Sequence, residues 1–116
     1  MAALLLARAG RSVVLLEKAS FPRRKVCGEF IAAAGLHLLS RLGLGERVAA
    51  LGGPAVQRIA LWTATAEHEA AMPPLSAATP FPCALEREAL DELLLQHAER
   101  CGALVMQPCS ALSLAR

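Results

Sequence analysis

The chain has 116 residues, enough for one domain at most, and 55% of them are hydrophobic. A formal net charge of +2 and only 3% aromatic residues argue against a surface for nucleic acid or for a membrane. No apolar stretch is long enough to span a bilayer. The four cysteines form no C-x-x-C pair, so we expect free thiols in a reducing cytoplasm.

The first predicted elements are a helix, a turn and a buried strand. Residues 1–9 contain strong helix formers, and Gly10 is a natural helix stop. The apolar run over 12–17 is typical of a buried strand in a parallel sheet, and it ends on Glu17. This order matches the second half of a dinucleotide-binding βαβ unit, where an acid accepts hydrogen bonds from ribose hydroxyls. The spacing alone fits equally well with an ordinary solvated carboxylate.

The next elements alternate between helix and extended chain. The pattern predicts a loop over 18–30, helices over 31–42 and 45–51, and antiparallel strands over 56–65 and 67–72. The first of these helices has Leu36, Leu39 and Leu42 at helical spacing, and Gly43 ends it.

The last third of the chain returns to the pattern of the first. It predicts a short extended piece over 81–85, a long helix over 86–101 that Gly102 caps, and a strand over 103–107. One stripe of that helix carries Leu90, Leu94, Ala98 and Cys101. We expect the strands over 12–17 and 103–107 to lie side by side. The strand and G-x-G-x-x-G turn that open a complete βαβ unit are absent, which leaves an exposed sheet edge.

These elements define the expected fold class. The order indicates an α/β fold, a partial Rossmann-like domain with a small antiparallel β insertion. Residues 1–116 would form one incomplete domain, in which 55–82 is a β excursion toward the substrate side.

Three segments carry a family resemblance. They are FPRRKVCGE (Phe21–Glu29), GLHLLSRLGLGERV (Gly35–Val48) and LEREALDELLLQHAERCGALV (Leu85–Val105). Together they resemble FAD-dependent oxidoreductases, most closely the geranylgeranyl-reductase-like flavoproteins. Aromatic-hydroxylase-type monooxygenases and flavin-dependent halogenases are related groups. The likeness covers nearly the whole chain.

The resemblance implies FAD as the cofactor and NAD(P)H as the electron donor of a full-length enzyme. The cofactor-binding residues that it implies are Glu17, Lys18, Arg23, Lys25, Cys27, Gly28, Arg87 and Ala111. In this view Glu17 binds the ribose, the cations pair with phosphate oxygens, and Cys27 and Gly28 pass close to the flavin. Ala111 contacts the adenine through its backbone. Two alternatives stay open: Cys27 packs against protein, and Arg87 is a surface residue paired with Glu86 or Asp91.

Three functional hypotheses follow. The first is an FAD-dependent oxidoreductase that reduces a carbon–carbon double bond, or activates oxygen to hydroxylate or halogenate a small apolar or aromatic substrate. No catalytic residue and no metal site can be named for it. The second is a non-catalytic fragment or pseudogene product that binds no cofactor. The third is another dinucleotide or S-adenosylmethionine binder, which the basic segment before Cys27 disfavours.

Overall fold

The structure, a computed structural model, describes residues 1–77 and 81–113. Its elements in chain order are α1 (Ala2–Arg8), β1 (Val14–Leu16), β2 (Phe30–Ile31), α2 (Ala33–Arg41), α3 (Gly45–Leu51), β3 (Arg58–Trp62), β4 (Glu67–Ala71), β5 (Cys83–Ala84), α4 (Arg87–Arg100) and β6 (Leu104–Met106). The fold is therefore a mixture of helices and small sheets. Within the described ranges, no helix has the length and apolar character needed to cross a membrane. Residues 78–80, inside the predicted 55–82 excursion, lie outside the description.

The chain divides into two units. The first is formed by Met1–Val26 together with Arg87–Arg116, and the second by Cys27–Glu86. The first unit thus contains α1, β1, α4 and β6, and the second unit contains the remaining elements.

The sheet of the first unit pairs β1 with β6 in parallel, with Leu15 opposite Val105. This confirms that the two apolar runs lie side by side. The prediction of a fully buried strand is wrong, however, because Val14 and Leu16 are 58% and 45% exposed. Side chains alternate along a strand, and only the face that carries Leu15 is covered. No described strand lies on the other edge of β1.

The helices of the first unit end where the sequence predicts, but the buried face of α4 differs. Gly10 and Gly102 follow their helices with φ of +74° and +98°, a conformation that side-chain-bearing residues avoid. On α4 the buried residues are Leu93 and Ala98, whereas the predicted stripe used Leu94 with Ala98. Three consecutive leucines, 93–95, offer several faces of similar apolarity, so spacing alone does not fix the phase of the helix.

The core of the second unit lies around α2 and α3. Leu39, Leu44 and Val48 are at most 3% exposed there. The two-residue strand β2 pairs antiparallel with β5, which confirms the extended piece predicted over 81–85. The loop predicted over 18–30 ends one residue earlier, because β2 begins at Phe30. The predicted antiparallel pair is confirmed as β3 with β4, each five residues long.

Candidate functional site

Glu17 is held at the carboxyl end of the parallel strands by its own backbone. Its N–H donates to the Met106 carbonyl at 3.1 Å, and its carbonyl accepts from the Cys109 N–H at 2.8 Å. The loop that follows is tied to the same edge, because the Phe21 N–H donates to the Gln107 side-chain oxygen at 2.9 Å. Residues beyond the carboxyl ends of parallel strands are the usual place for ligand-binding groups.

The Glu17 carboxylate is partly engaged by protein groups. Its Oε1 accepts from the Arg23 guanidinium at 3.2 Å and from the Ala19 N–H at 3.3 Å. The side chain of Glu17 is 19% exposed, so an oxygen lone pair remains accessible to a ligand. The Nε of Arg23 is buried without a hydrogen-bond partner among the described residues. Such an atom favours an additional acceptor, because an unsatisfied buried donor is costly.

A second ionic cluster joins the loop to α4. Asp91 accepts from Lys25 Nζ at 2.8 Å and from Arg87 Nε at 2.6 Å. Arg87 and Asp91 are four residues apart on the helix, where side chains face each other. The alternative pairing of Arg87 with Asp91 is therefore present. The Phe21 ring lies 4.7 Å from Lys25 Nζ and 5.7 Å from the Arg23 guanidinium carbon, and it orients both cations.

These two clusters border one cleft of about 200 Å³ in the first unit. Its charged lining residues are Glu17, Lys25, Arg87 and Asp91, and its other lining residues include Leu15, Phe21, Leu94 and Leu95. Two carboxylates and two cations thus face the same space. Asp91 is bonded to both cations, so Glu17 is the carboxylate available for hydroxyl groups. The volume lies below the usual range for a pocket that encloses a whole drug-sized ligand, so the cleft suits one end of a larger cofactor.

Asp91 is a site residue whose main contact the sequence pattern does not reveal. The sequence suggests it only as a surface partner of Arg87, which the spacing of four residues on a helix signals. Its bond to Lys25 joins residues 66 positions apart and has no local signal. With a side chain only 13% exposed, Asp91 anchors the two cations at the cleft.

The titration of Asp91 predicts how the stability of the fold changes at acid pH. Partial burial raises the pKa of Asp91, but hydrogen bonds and charges from Lys25 and Arg87 outweigh burial and lower it below its ordinary value. A depressed folded-state pKa stabilises the fold above the unfolded pKa of about 4, and this stabilisation is lost as pH falls through the folded value. We expect Asp91→Asn to cost roughly 1–2 kcal/mol of unfolding free energy at pH 7 and less at pH 3.

Urea unfolding at both pH values measures this difference. The matched control is Glu99→Gln, which neutralises an exposed acid of the same helix. A loss for Asp91→Asn that is equal at pH 7 and pH 3 would contradict the ionic origin of the effect.

Three of the eight predicted residues, Glu17, Lys25 and Arg87, line this cleft, and Arg23 contacts Glu17 without lining the cleft itself. The other four are not among its lining residues. Lys18 and Ala111 belong to the first unit and are exposed; Cys27 and Gly28 belong to the second unit and are also exposed. A Cβ added at Gly28 would meet no described heavy atom within 4 Å, so protein packing does not require glycine there. The exposure of Cys27 counts against the alternative in which it packs against protein. Their roles toward a flavin stay predictions.

The charged residues of this site fit FAD. A ribose bearing phosphates is complementary to these groups. Its hydroxyls can donate to the accessible carboxylate of Glu17, and its phosphates can accept from Lys25, Arg87 and the unsatisfied Nε of Arg23. In the described ranges, no cluster of three or more metal-binding side chains is found.

Several solved structures are similar to this chain in fold, and two of the three described here belong to FAD-dependent enzymes. The myxobacterial chondrochloren halogenase CndH, a variant of FAD-dependent halogenases, is 27% identical with a TM-score of 0.75, over 89% of this chain and 24% of its own. PqsL of Pseudomonas aeruginosa, a probable FAD-dependent monooxygenase, is 22% identical with a TM-score of 0.70, over 90% and 28%. A variant of MHPCO is 22% identical with a TM-score of 0.68, over 90% and 27%. The chain thus spans about a quarter of these structures.

The family of the chain is established by its sequence. No curated protein matches the chain. The family model described as an FAD binding domain matches residues 1–115, which is almost the entire sequence. That match confirms the resemblance to FAD-dependent oxidoreductases and FAD as the cofactor, while the likeness to geranylgeranyl-reductase-like proteins stays a prediction. The chain belongs to the FAD-binding domain family.

Proposed function

We propose that this chain binds the adenosine–phosphate end of FAD in the cleft beside Glu17, as part of an oxidoreductase of the monooxygenase type. The observation that carries the proposal is the meeting of one accessible carboxylate and two cations at the carboxyl ends of β1 and β6. A ribose presents hydroxyl donors, and phosphates present anionic acceptors. The cleft offers the complementary groups for both.

Each charged residue has a separate binding role in this proposal. Glu17 accepts hydrogen bonds from the ribose hydroxyls, and Arg23 orients that carboxylate through its 3.2 Å ion pair. Lys25 and Arg87, held by Asp91, neutralise phosphate oxygens. Arg87 also stands at the beginning of α4, where the helix dipole favours anions.

The remaining assignments rest on the family resemblance. We propose a partial Rossmann-like domain in which residues 55–82 extend toward the substrate side, Cys27 and Gly28 face the flavin, and Lys18 and Ala111 contact the adenosine end. When bound, the flavin supplies hydride and oxygen chemistry, while the protein binds and orients it. NAD(P)H is the proposed electron donor.

The proposed substrate is a small apolar or aromatic molecule. PqsL, which shares this fold, is known in complex with 2-aminobenzoylacetate. The halogenase CndH and the probable monooxygenase PqsL represent two of the expected reaction types, halogenation and monooxygenation. Double-bond reduction is the third reaction under this proposal.

An FAD titration of the purified chain, followed by quenching of flavin fluorescence, tests the proposal. We expect saturable binding, and we expect Arg87→Ala to weaken it by roughly tenfold because a charge-assisted contact is lost. The matched control is Arg100→Ala, which removes an arginine from the other end of the same helix. That substitution should change the affinity less than twofold.

Two outcomes would count against the proposal. A chain that is folded by circular dichroism and binds no FAD would favour the non-catalytic fragment without cofactor binding. Equal effects of the two arginine substitutions would mean that charge in general attracts the cofactor, and that the cleft at the beginning of α4 does not hold it.

A further inference from the structure

The hairpin β3–β4 presents apolar side chains to solvent on a sheet of only two strands. Ile59, Leu61 and Trp62 are 53%, 64% and 67% exposed. All of β4 is exposed as well. A two-stranded hairpin is marginal in water, and its open edges are templates for pairing with another strand.

The outer edge of β3 carries the backbone groups that do not face β4. Two hydrogen bonds show which residues of the hairpin turn their backbone groups toward the partner strand. They run from the Met72 N–H to the Gln57 carbonyl and from the Thr63 N–H to the Ala66 carbonyl, both at 2.8 Å. Because inward and outward residues alternate in an antiparallel pair, the backbone groups of Arg58, Ala60 and Trp62 point away from β4. No described strand pairs with that edge.

We propose that β3 pairs antiparallel with β3 of a second copy, so that two hairpins form one four-stranded sheet in the order β4-β3-β3-β4. Full overlap of the two strands places Ala60 opposite Ala60 of the second copy, on the two-fold axis. Arg58 then stands opposite Trp62 of the second copy. Each of the three residues whose backbone groups point away from β4 therefore lies opposite such a residue of the second copy. Each opposed pair can exchange two backbone hydrogen bonds.

The side chains are complementary in this register on both faces of the sheet. On one face each Arg58, already paired with Glu69 of its own hairpin, meets a tryptophan ring, which is a favourable cation–π arrangement. On the other face Ile59 stands opposite Leu61 of the second copy, and Ala70 extends the same apolar row. Association would place the exposed apolar side chains beside one another and bury the sides that face each other.

Charge excludes the corresponding pairing through β4. Full overlap of two β4 strands places Glu69 opposite Glu69 of the second copy, and like charges directly opposite are destabilising. Across β3, the two Glu69 side chains of the paired hairpins are three strand spacings apart, about 14 Å. The β3 edge is therefore self-complementary and the β4 edge is not.

Sedimentation equilibrium of the 116-residue chain over a range of concentrations tests this interface. We expect a reversible monomer–dimer equilibrium. Ala60→Pro removes a donor at the two-fold axis and should weaken the dimer at least tenfold. The matched control is Ala71→Pro, which removes an outward donor from the opposite edge of the same hairpin and should change dimerisation less than twofold.

A second variant keeps the hairpin intact. Ala60→Lys places a cation opposite Glu69 within its own hairpin, which supports the fold, but brings two cations together on the two-fold axis. We expect it to weaken the dimer at least tenfold at low salt, with partial recovery at high salt. A chain that stays monomeric at all concentrations would overturn the proposal. Dimers that both Ala60 variants leave unchanged would also overturn it.

Discussion

Glu17→Ala is expected to weaken FAD binding by roughly 10- to 100-fold, the largest effect of any substitution at the cleft. The carboxylate is the acceptor placed for ribose hydroxyls, and hydrogen bonds to an ionised group are stronger than neutral ones. Its loss also leaves Arg23 without its ion-pair partner at 3.2 Å. Fluorescence titration with FAD measures the affinity, and thermal unfolding monitored by circular dichroism shows whether the variant is folded.

A pair of ligands separates ribose recognition from a general loss of structure. The wild-type chain should bind ADP more tightly than 2′,3′-dideoxy-ADP, which lacks both ribose hydroxyls. Glu17→Ala should bind the two nucleotides equally, because it has no carboxylate to distinguish them. A wild-type chain without this preference would contradict the ribose assignment of Glu17, even if the chain binds FAD.

The parts of the site that sequence predicts are those with a local signal. An apolar run that ends on an acid marks Glu17, and the family resemblance of the segment that follows it adds Arg23 and Lys25. Glycines at positive φ mark the ends of three helices, at Gly10, Gly43 and Gly102. Each of these signals lies within a few residues of the feature that it predicts, because backbone conformation and strand ends are local properties.

The parts that sequence misses depend on distant partners. Asp91 joins Lys25 only through the fold, and β2 exists only because Phe30 and Ile31 meet Ala84 and Cys83. A two-residue strand is too short to show an alternation of apolar and polar residues. Burial depends in the same way on what covers a face, so an apolar run such as that of β1 predicts a strand but not its exposure.

Leu44 is a buried residue that the sequence pattern does not identify, and its substitution has the largest expected effect on stability. It lies between α2 and α3, outside the predicted stripe of Leu36, Leu39 and Leu42, yet it is fully buried. Its backbone also joins the two helices, since its N–H donates to the Leu39 carbonyl and its carbonyl accepts from the Val48 N–H. A leucine in such a place fills the core from a connecting segment, where helical periodicity carries no information.

We expect Leu44→Ala to lower the unfolding free energy by about 2–5 kcal/mol, through lost burial and the cavity left behind. Because small domains have only about 5–15 kcal/mol in total, this loss shifts the urea midpoint strongly. The matched control is Leu38→Ala on α2, where the side chain is 48% exposed and a change below about 1 kcal/mol is expected. Urea unfolding followed by far-ultraviolet circular dichroism measures both. Equal losses for the two leucines would contradict the packing of the second unit, since only a difference in burial separates these two substitutions.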